Sequence, residues 1–347
     1  MSQTQRIYVG SYTPDTGGNG TGISLLERNT ETGELRLIDS VAELSGASFL
    51  AAHPSGRFLY SVSEAEPGAV AAFAVGDDGR LQPLGEQETG GSGPCHLSVD
   101  PSGSYLLTAN YGSGSICVHP IAEEGSLGRR TDLVQHAGSG PDPDRQAGPH
   151  AHNIRLDPAG RHFLAADLGT DELRAYRLDT ETGSLESHFV VRSEAGAGPR
   201  HLVTRGGRWV HVADELASTV TTYAFTAATG LLDRLASVPA LVGEPADGVR
   251  NYPSEIGISA DERFIYVANR GQDCITVLAV EGETLRPVQD VPSGGEWPRN
   301  FVVVGSDLYV ANQNSGNVAA FRIDETTGIP QATGGLDIPS PACILPL

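Results

Sequence analysis

The chain has 347 residues, 39% hydrophobic and 19% charged, enough for one large domain or two small ones. All 23 basic residues are arginine, which excludes a Schiff-base lysine and a P-loop lysine. A net charge of −20 leaves no basic surplus to displace phosphate counterions and argues against a nucleic-acid partner, while 43 glycines and 22 prolines are too much turn chemistry for a helical protein.

From the N-terminus, Met1 to Arg6 lead straight into Ile7-Tyr8-Val9, which has strand chemistry and no apolar signal core. No run approaches the ~20 apolar residues of a membrane helix, so no membrane partner is expected. Asn19-Gly20-Thr21 matches a glycosylation sequon, which without a secretion signal is a chance match. Cys95, Cys117, Cys274 and Cys343 form no disulfide framework, and a reducing cytoplasm is the simplest setting.

At Thr32-Gly33-Glu34-Leu35 the first of seven similar turns appears. The others centre on Gly79, Gly125, Gly183, Gly230, Gly282 and Gly328, at spacings of 46, 46, 58, 47, 52 and 46 residues. A second landmark precedes an apolar run: His53-Pro54-Ser55-Gly56, Asp100-Pro101-Ser102-Gly103 and Asp157-Pro158-Ala159-Gly160, with degenerate later copies. Between them lie short strand-like runs such as Phe264-Ile265-Tyr266-Val267. Four short strands per repeat with no helical period predict an all-β, seven-bladed β-propeller, a single domain over residues 1–347. The chain begins in mid-repeat, and Pro341-Ala342-Cys343-Ile344-Leu345 resembles the missing first strand, Pro94-Cys95-His96-Leu97. N- and C-terminal strands are therefore expected to share one blade and remove an open edge.

With the strands of a blade labelled A to D from the centre outward, antiparallel pairing puts the starts of A beside the ends of B. The D-to-A loops lie on that same face. The two long spacings arise in such loops, His136 to Pro149 and Val242 to Pro253, which marks this face as the functional one. The A starts read Pro94-Cys95-His96, Pro149-His150-Ala151-His152-Asn153, Pro199-Arg200-His201, Pro253-Ser254-Glu255 and Pro298-Arg299-Asn300. The B ends read Glu64, Asn110-Tyr111, Asp167-Leu168, Asp214-Glu215, Asn269-Arg270 and Asn312-Gln313.

Asn110, Asp167, Asp214, Asn269 and Asn312 recur at every turn and read as structural caps. Arg200, Arg270 and Arg299 break the repeat and predict a local positive well, since guanidinium forks grip carboxylate or phosphate; the bland alternative is ion pairing with neighbours such as Glu215 or Asp273. Glu215 fits a general base or a partner orienting an arginine. His150 and His152 suit acid/base work or substrate hydrogen bonding, or else a purely structural role, better than a metal, for which no cysteine pair completes a set. No G-x-S-x-G elbow is present.

The segments Gly148-Pro149-His150-Ala151-His152-Asn153, Gly198-Pro199-Arg200-His201, Asp214-Glu215-Leu216-Ala217-Ser218-Thr219 and Ala268-Asn269-Arg270 resemble the propeller-type 6-phosphogluconolactonase family, which includes the fungal 3-carboxy-cis,cis-muconate lactonizing enzymes. The resemblance runs through all seven repeats. It implies cofactor-free, metal-independent hydrolysis of a small anionic lactone, with catalytic roles on His150, Arg200, Glu215 and Arg270. Substrate contacts are expected from Arg299, His152, His201, Asn153, His96 and Glu255. Rival expectations are a carboxymuconate cycloisomerase, a non-catalytic propeller binding a protein partner, and a calcium-dependent gluconolactonase using a carboxylate ring of Glu64, Asp214, Glu215 and Glu255. The sequence carries no signal for an oligomeric state.

Overall fold

In the computed structural model, which describes residues 4–347, the chain forms seven four-stranded antiparallel sheets. Blades 1 to 6 follow chain order from the sheet that begins at Leu50; blade 4, for example, is Pro199–Arg205, Trp209–Asp214, Thr219–Thr226 and Leu231–Pro239. Blade 7 joins the two ends of the chain. Its innermost strand is Pro341–Pro346, followed by Thr4–Ser11, Ile23–Asn29 and Leu35–Ala42, with Tyr8 opposite Leu345 and Val9 opposite Ile344. The innermost strands touch in cyclic order, and Pro341–Pro346 meets Leu50–Ala52, so the ring closes as a seven-bladed propeller. Closure leaves no inner edge unpaired between the chain ends. Among the described residues no helix is long and apolar enough to cross a membrane.

Burial follows position along the radius. The B strands Phe58–Ser63, Tyr105–Asn110 and Trp209–Asp214 are buried throughout, because a neighbouring blade covers each face. The outermost strand Leu231–Pro239 exposes most of one face to water. Blades pack flat upon each other: Phe264, Tyr266 and Val277 of blade 5 interlock with Phe301, Val310 and Phe321 of blade 6.

The turn glycines that mark the repeat are where neighbouring blades lock. The phenol of Tyr60 in blade 1 donates to the Gly125 carbonyl of blade 2 at 3.0 Å. The same bond joins Tyr266 to Gly328 at 3.0 Å, Tyr309 to Gly33 at 2.7 Å and Tyr8 to Gly79 at 2.7 Å. Gly125 has φ +88°, and a Cβ there would lie 2.3 Å from the Phe58 ring. Turn geometry and close blade contact thus both demand glycine.

At the start of strand A, blades 2, 3, 4 and 6 carry a register shift, between Pro94 and His96, Ala151 and Asn153, Pro199 and His201, and Pro298 and Asn300. Blade 5 has a longer one between Pro253 and Ile256. A bulge re-aims side chains that strict alternation would separate. Arg200 and His201, and likewise Arg299 and Asn300, therefore line one axial constriction together.

Candidate active site

Glu215 is the hub of the mouth. It sits one residue beyond strand B of blade 4, 3% exposed. Its Oε2 accepts from Arg270 Nη2 at 2.6 Å and lies 3.1 Å from Arg200 Nε, and its Oε1 accepts from Arg145 Nη2 at 2.6 Å. The Arg200 contact is an ion pair by distance without hydrogen-bond alignment. Burial alone would raise the Glu215 carboxyl, but Arg270, Arg200, His152 and Arg145 outweigh it and hold the group well below the usual carboxylate range. A carboxylate so stabilised is a poor proton acceptor. Its two oxygens gather three guanidinium groups.

Each arginine is also fixed from behind. Arg200 donates through Nη1 to the Ser254 carbonyl, and Arg270 donates through Nε to the Tyr252 carbonyl at 3.2 Å while its guanidinium lies over Trp297 at 5.4 Å. Burial, with Arg270 next in weight, lowers the Arg200 pKa to about 9, against the opposing pull of Glu215. Arg299 stands apart over the Tyr12 ring at 4.8 Å and donates to Gln313 Oε1 at 3.4 Å. Glu64 does not reach the hub; it accepts from Tyr12 at 2.9 Å and from Ser48.

His150 lies at the edge of the mouth, partly exposed, where the long loop meets strand A of blade 3. Its Nδ1 is 2.8 Å from the Tyr111 carbonyl, and its ring stacks on Tyr111 at 4.5 Å and 19°. A carbonyl can only accept, so Nδ1 carries a proton and, in the neutral ring, Nε2 is the lone-pair nitrogen. The backbone N–H of His150 donates to Asp167 Oδ1 at 2.9 Å, and Asp167 Oδ2 is 2.6 Å from buried His136 Nδ1. The repeat-borne Asp167 thereby positions the imidazole. His152 is buried edge-on to the Tyr111 ring at 5.4 Å and 72°, and burial pushes its pKa well below the usual imidazole range.

The remaining predicted contacts form a layer below the arginines. His201 Nδ1 lies 3.1 Å from Glu255 Oε1, Asn300 donates to Glu255 Oε2 at 2.5 Å, and the His96 ring is 4.1 Å from Phe49 and 5.3 Å from His201. Among the described residues, His96 Nε2, His201 Nε2 and both amide atoms of Asn153 have no hydrogen-bond partner. Burial drives His96 and His201 far down and raises Glu255. His96 and Glu255 line a cavity of about 490 Å³ that also includes Arg155, rather than the arginine-lined mouth.

The carboxylates Glu64, Asp214, Glu215 and Glu255 do not converge. Asp214 faces Thr219 and Thr221, Glu255 is held by His201 and Asn300, and among the described residues no three His, Cys, Asp or Glu groups are placed to share a metal ion. Asn269 and Asn312 bracket their turns as caps, donating to the Ala240 and Ser293 carbonyls at 3.1 and 3.0 Å.

Arg145 is the residue that sequence reading missed. It lies in the 136–149 insertion, which has no copy in other blades to expose a departure from pattern. The one available signal was that it is the sole arginine in the longest loop of the chosen face.

Fold and site together define a propeller whose axial mouth gathers three arginines around one buried carboxylate inside an acidic body. The chain belongs to the seven-bladed beta-propeller lactonase family, whose model matches residues 6–346. It is 35% identical to a 6-phosphogluconolactonase of Bacillus subtilis, with 97% of each chain covered, and 32% identical to one from Formosa agariphila, with 93% of each covered. A solved structure described as a periplasmic gluconolactonase of Pseudomonas aeruginosa superposes with a TM-score of 0.90, at 28% identity over 99% of each chain.

Proposed function

We propose that this protein is a carboxylic-ester hydrolase that opens the lactone ring of 6-phosphogluconolactone to give 6-phosphogluconate, the hydrolytic step of the pentose phosphate pathway. Two named relatives at 35% and 32% identity support the substrate. The observation that carries the chemistry is the His150–Tyr111 bond of 2.8 Å, which leaves Nε2 as the unshared base of the mouth.

Water attacks the lactone carbonyl carbon as Nε2 of His150 takes its proton. Charge developing on the carbonyl oxygen is met by the guanidinium groups of Arg200 and Arg270, already aligned by Glu215. The tetrahedral intermediate collapses by breaking the ring C–O bond, and the leaving alkoxide recovers the proton from His150. One water is consumed and one hydroxy acid forms. Arg299, His152 and His201 line one constriction with Arg200 and are the residues assigned to orient the sugar hydroxyls. The route uses neither a covalent intermediate nor a metal.

All four cysteines are free and buried, which supports a reducing compartment and the cytoplasmic reading. The test is hydrolysis of phosphorylated and unphosphorylated gluconolactone, with and without chelator. Turnover of the phosphorylated lactone unaffected by chelator is expected. Loss of activity to chelator, or activity confined to a muconate, overturns the reading.

A further inference from the structure

The mouth holds more positive charge than ester hydrolysis requires. Three guanidinium groups, from Arg145, Arg200 and Arg270, share the single carboxylate of Glu215, a formal excess of two. Arg200 and Arg270 are 2% and 6% exposed, spend further donors on backbone carbonyls, and suffice for a carbonyl oxyanion. Arg145 is different. Its side chain is 32% exposed, and only Nη2 is engaged, with Glu215 at 2.6 Å and Tyr111 Oη at 3.3 Å. Among the described residues its Nε and Nη1 donate to no protein acceptor, so a fork remains to be used.

The loop that carries Arg145 is built rather than loose. Gln146 is fully buried and donates to the Leu168 carbonyl at 2.8 Å and Asp171 Oδ1 at 2.7 Å. Asp142 Oδ1 accepts the backbone N–H of Asp144 at 3.0 Å and of Arg145 at 3.1 Å, and the Gly140 N–H donates to the Gln146 carbonyl at 3.0 Å. A guanidinium held out over the mouth by an anchored loop loses little freedom when a ligand arrives.

Resting on the lactonase reading, we propose that Arg145 is the specificity residue that receives the dianionic phosphate ester of the substrate and selects phosphorylated over uncharged sugar lactones. A phosphate monoester carries close to two negative charges at pH 7, and the unengaged Nε–Nη1 edge of Arg145 offers it a bidentate fork. The partly exposed rim leaves the far side of the phosphate solvated, so the ion pair forms without full desolvation.

The test compares kcat/KM for 6-phosphogluconolactone and for unphosphorylated gluconolactone in the wild type, Arg145→Gln and Arg145→Lys. In Arg145→Gln the ratio of the two should fall by about 10-fold or more, chiefly through KM of the phosphorylated lactone, as loss of a charge-assisted hydrogen bond implies. Arg145→Lys, with charge but no fork, should fall between. Equal losses on both lactones, or an unchanged ratio in a variant with wild-type melting temperature, overturn the proposal. A wild type inactive on both lactones overturns the lactonase reading as well; one active on both whose ratio survives Arg145→Gln overturns this inference alone.

Discussion

The Nδ1 atom of His150 lies 2.8 Å from the backbone oxygen of Tyr111, a residue 39 positions earlier on the adjoining blade. The bond crosses the gap between blades 2 and 3, and it fixes both the tautomer and the tilt of the imidazole. Because the acceptor is main chain, no side-chain substitution at 111 abolishes it.

His150→Ala is therefore expected to lower kcat by about 100-fold or more with little change in KM, the usual weight of a positioned general base. Steady-state hydrolysis of the phosphorylated lactone measures this. Parent-rate turnover by the variant would remove the base assignment.

Replacement of the hub carboxylate should act differently. Glu215→Gln leaves three buried or half-buried cations without their shared partner, and a loss of about 100-fold in kcat/KM together with a lower melting temperature is expected. A lowered carboxyl pKa gives stability that is present above the unfolded value and withdrawn only as pH falls through the folded one. The hub thus stays ionised from about pH 5 to 9, far above its folded value. No inflection in the wild-type pH–rate profile across that range should vanish in Glu215→Gln.

Asp214 has the opposite sign. Burial raises its carboxyl to about 7, despite hydrogen bonds from Thr221 and Thr219, and Asp171 adds to the rise. Its Oδ1 has no hydrogen-bond partner among the described residues. A raised carboxyl favours the folded state fully only below the unfolded value, and that contribution is lost as pH climbs to the folded one. Blades 2, 5 and 6 place Asn110, Asn269 and Asn312 at this position. Asp214→Asn should accordingly raise the melting temperature at pH 8, by an amount worth a few kcal/mol, and the gain should shrink steadily toward pH 5. A gain independent of pH would contradict the raised carboxyl.

Gly125→Ala should destabilise the ring without touching the mouth. The added Cβ meets both a left-handed φ of +88° and the Phe58 ring, a strain of roughly 1–3 kcal/mol. Thermal denaturation should show the loss, and kcat at 25 °C should be unchanged.

Much of this was legible because a repeat compares a chain with itself. Seven turn glycines, their spacing and the split blade specified the ring, and residues departing from the repeat, Arg200, Glu215, Arg270 and His150, do meet at the mouth or its edge. The same logic was blind in two places. Arg145 sits in an insertion with no equivalent, so nothing marked it as a departure. His96 and Glu255 share the A-strand start with mouth residues, yet they line the separate cavity that includes Arg155.

Sequence alone determined the architecture, since periodic turns and strand chemistry are local properties that each stretch of chain expresses for itself. Only the folded ring decided the electrostatics. Glu215 comes together with Arg145 and Arg270 across separations of 70 and 55 residues, and whether a buried carboxylate gathers protons or arginines depends on distances that no linear pattern contains.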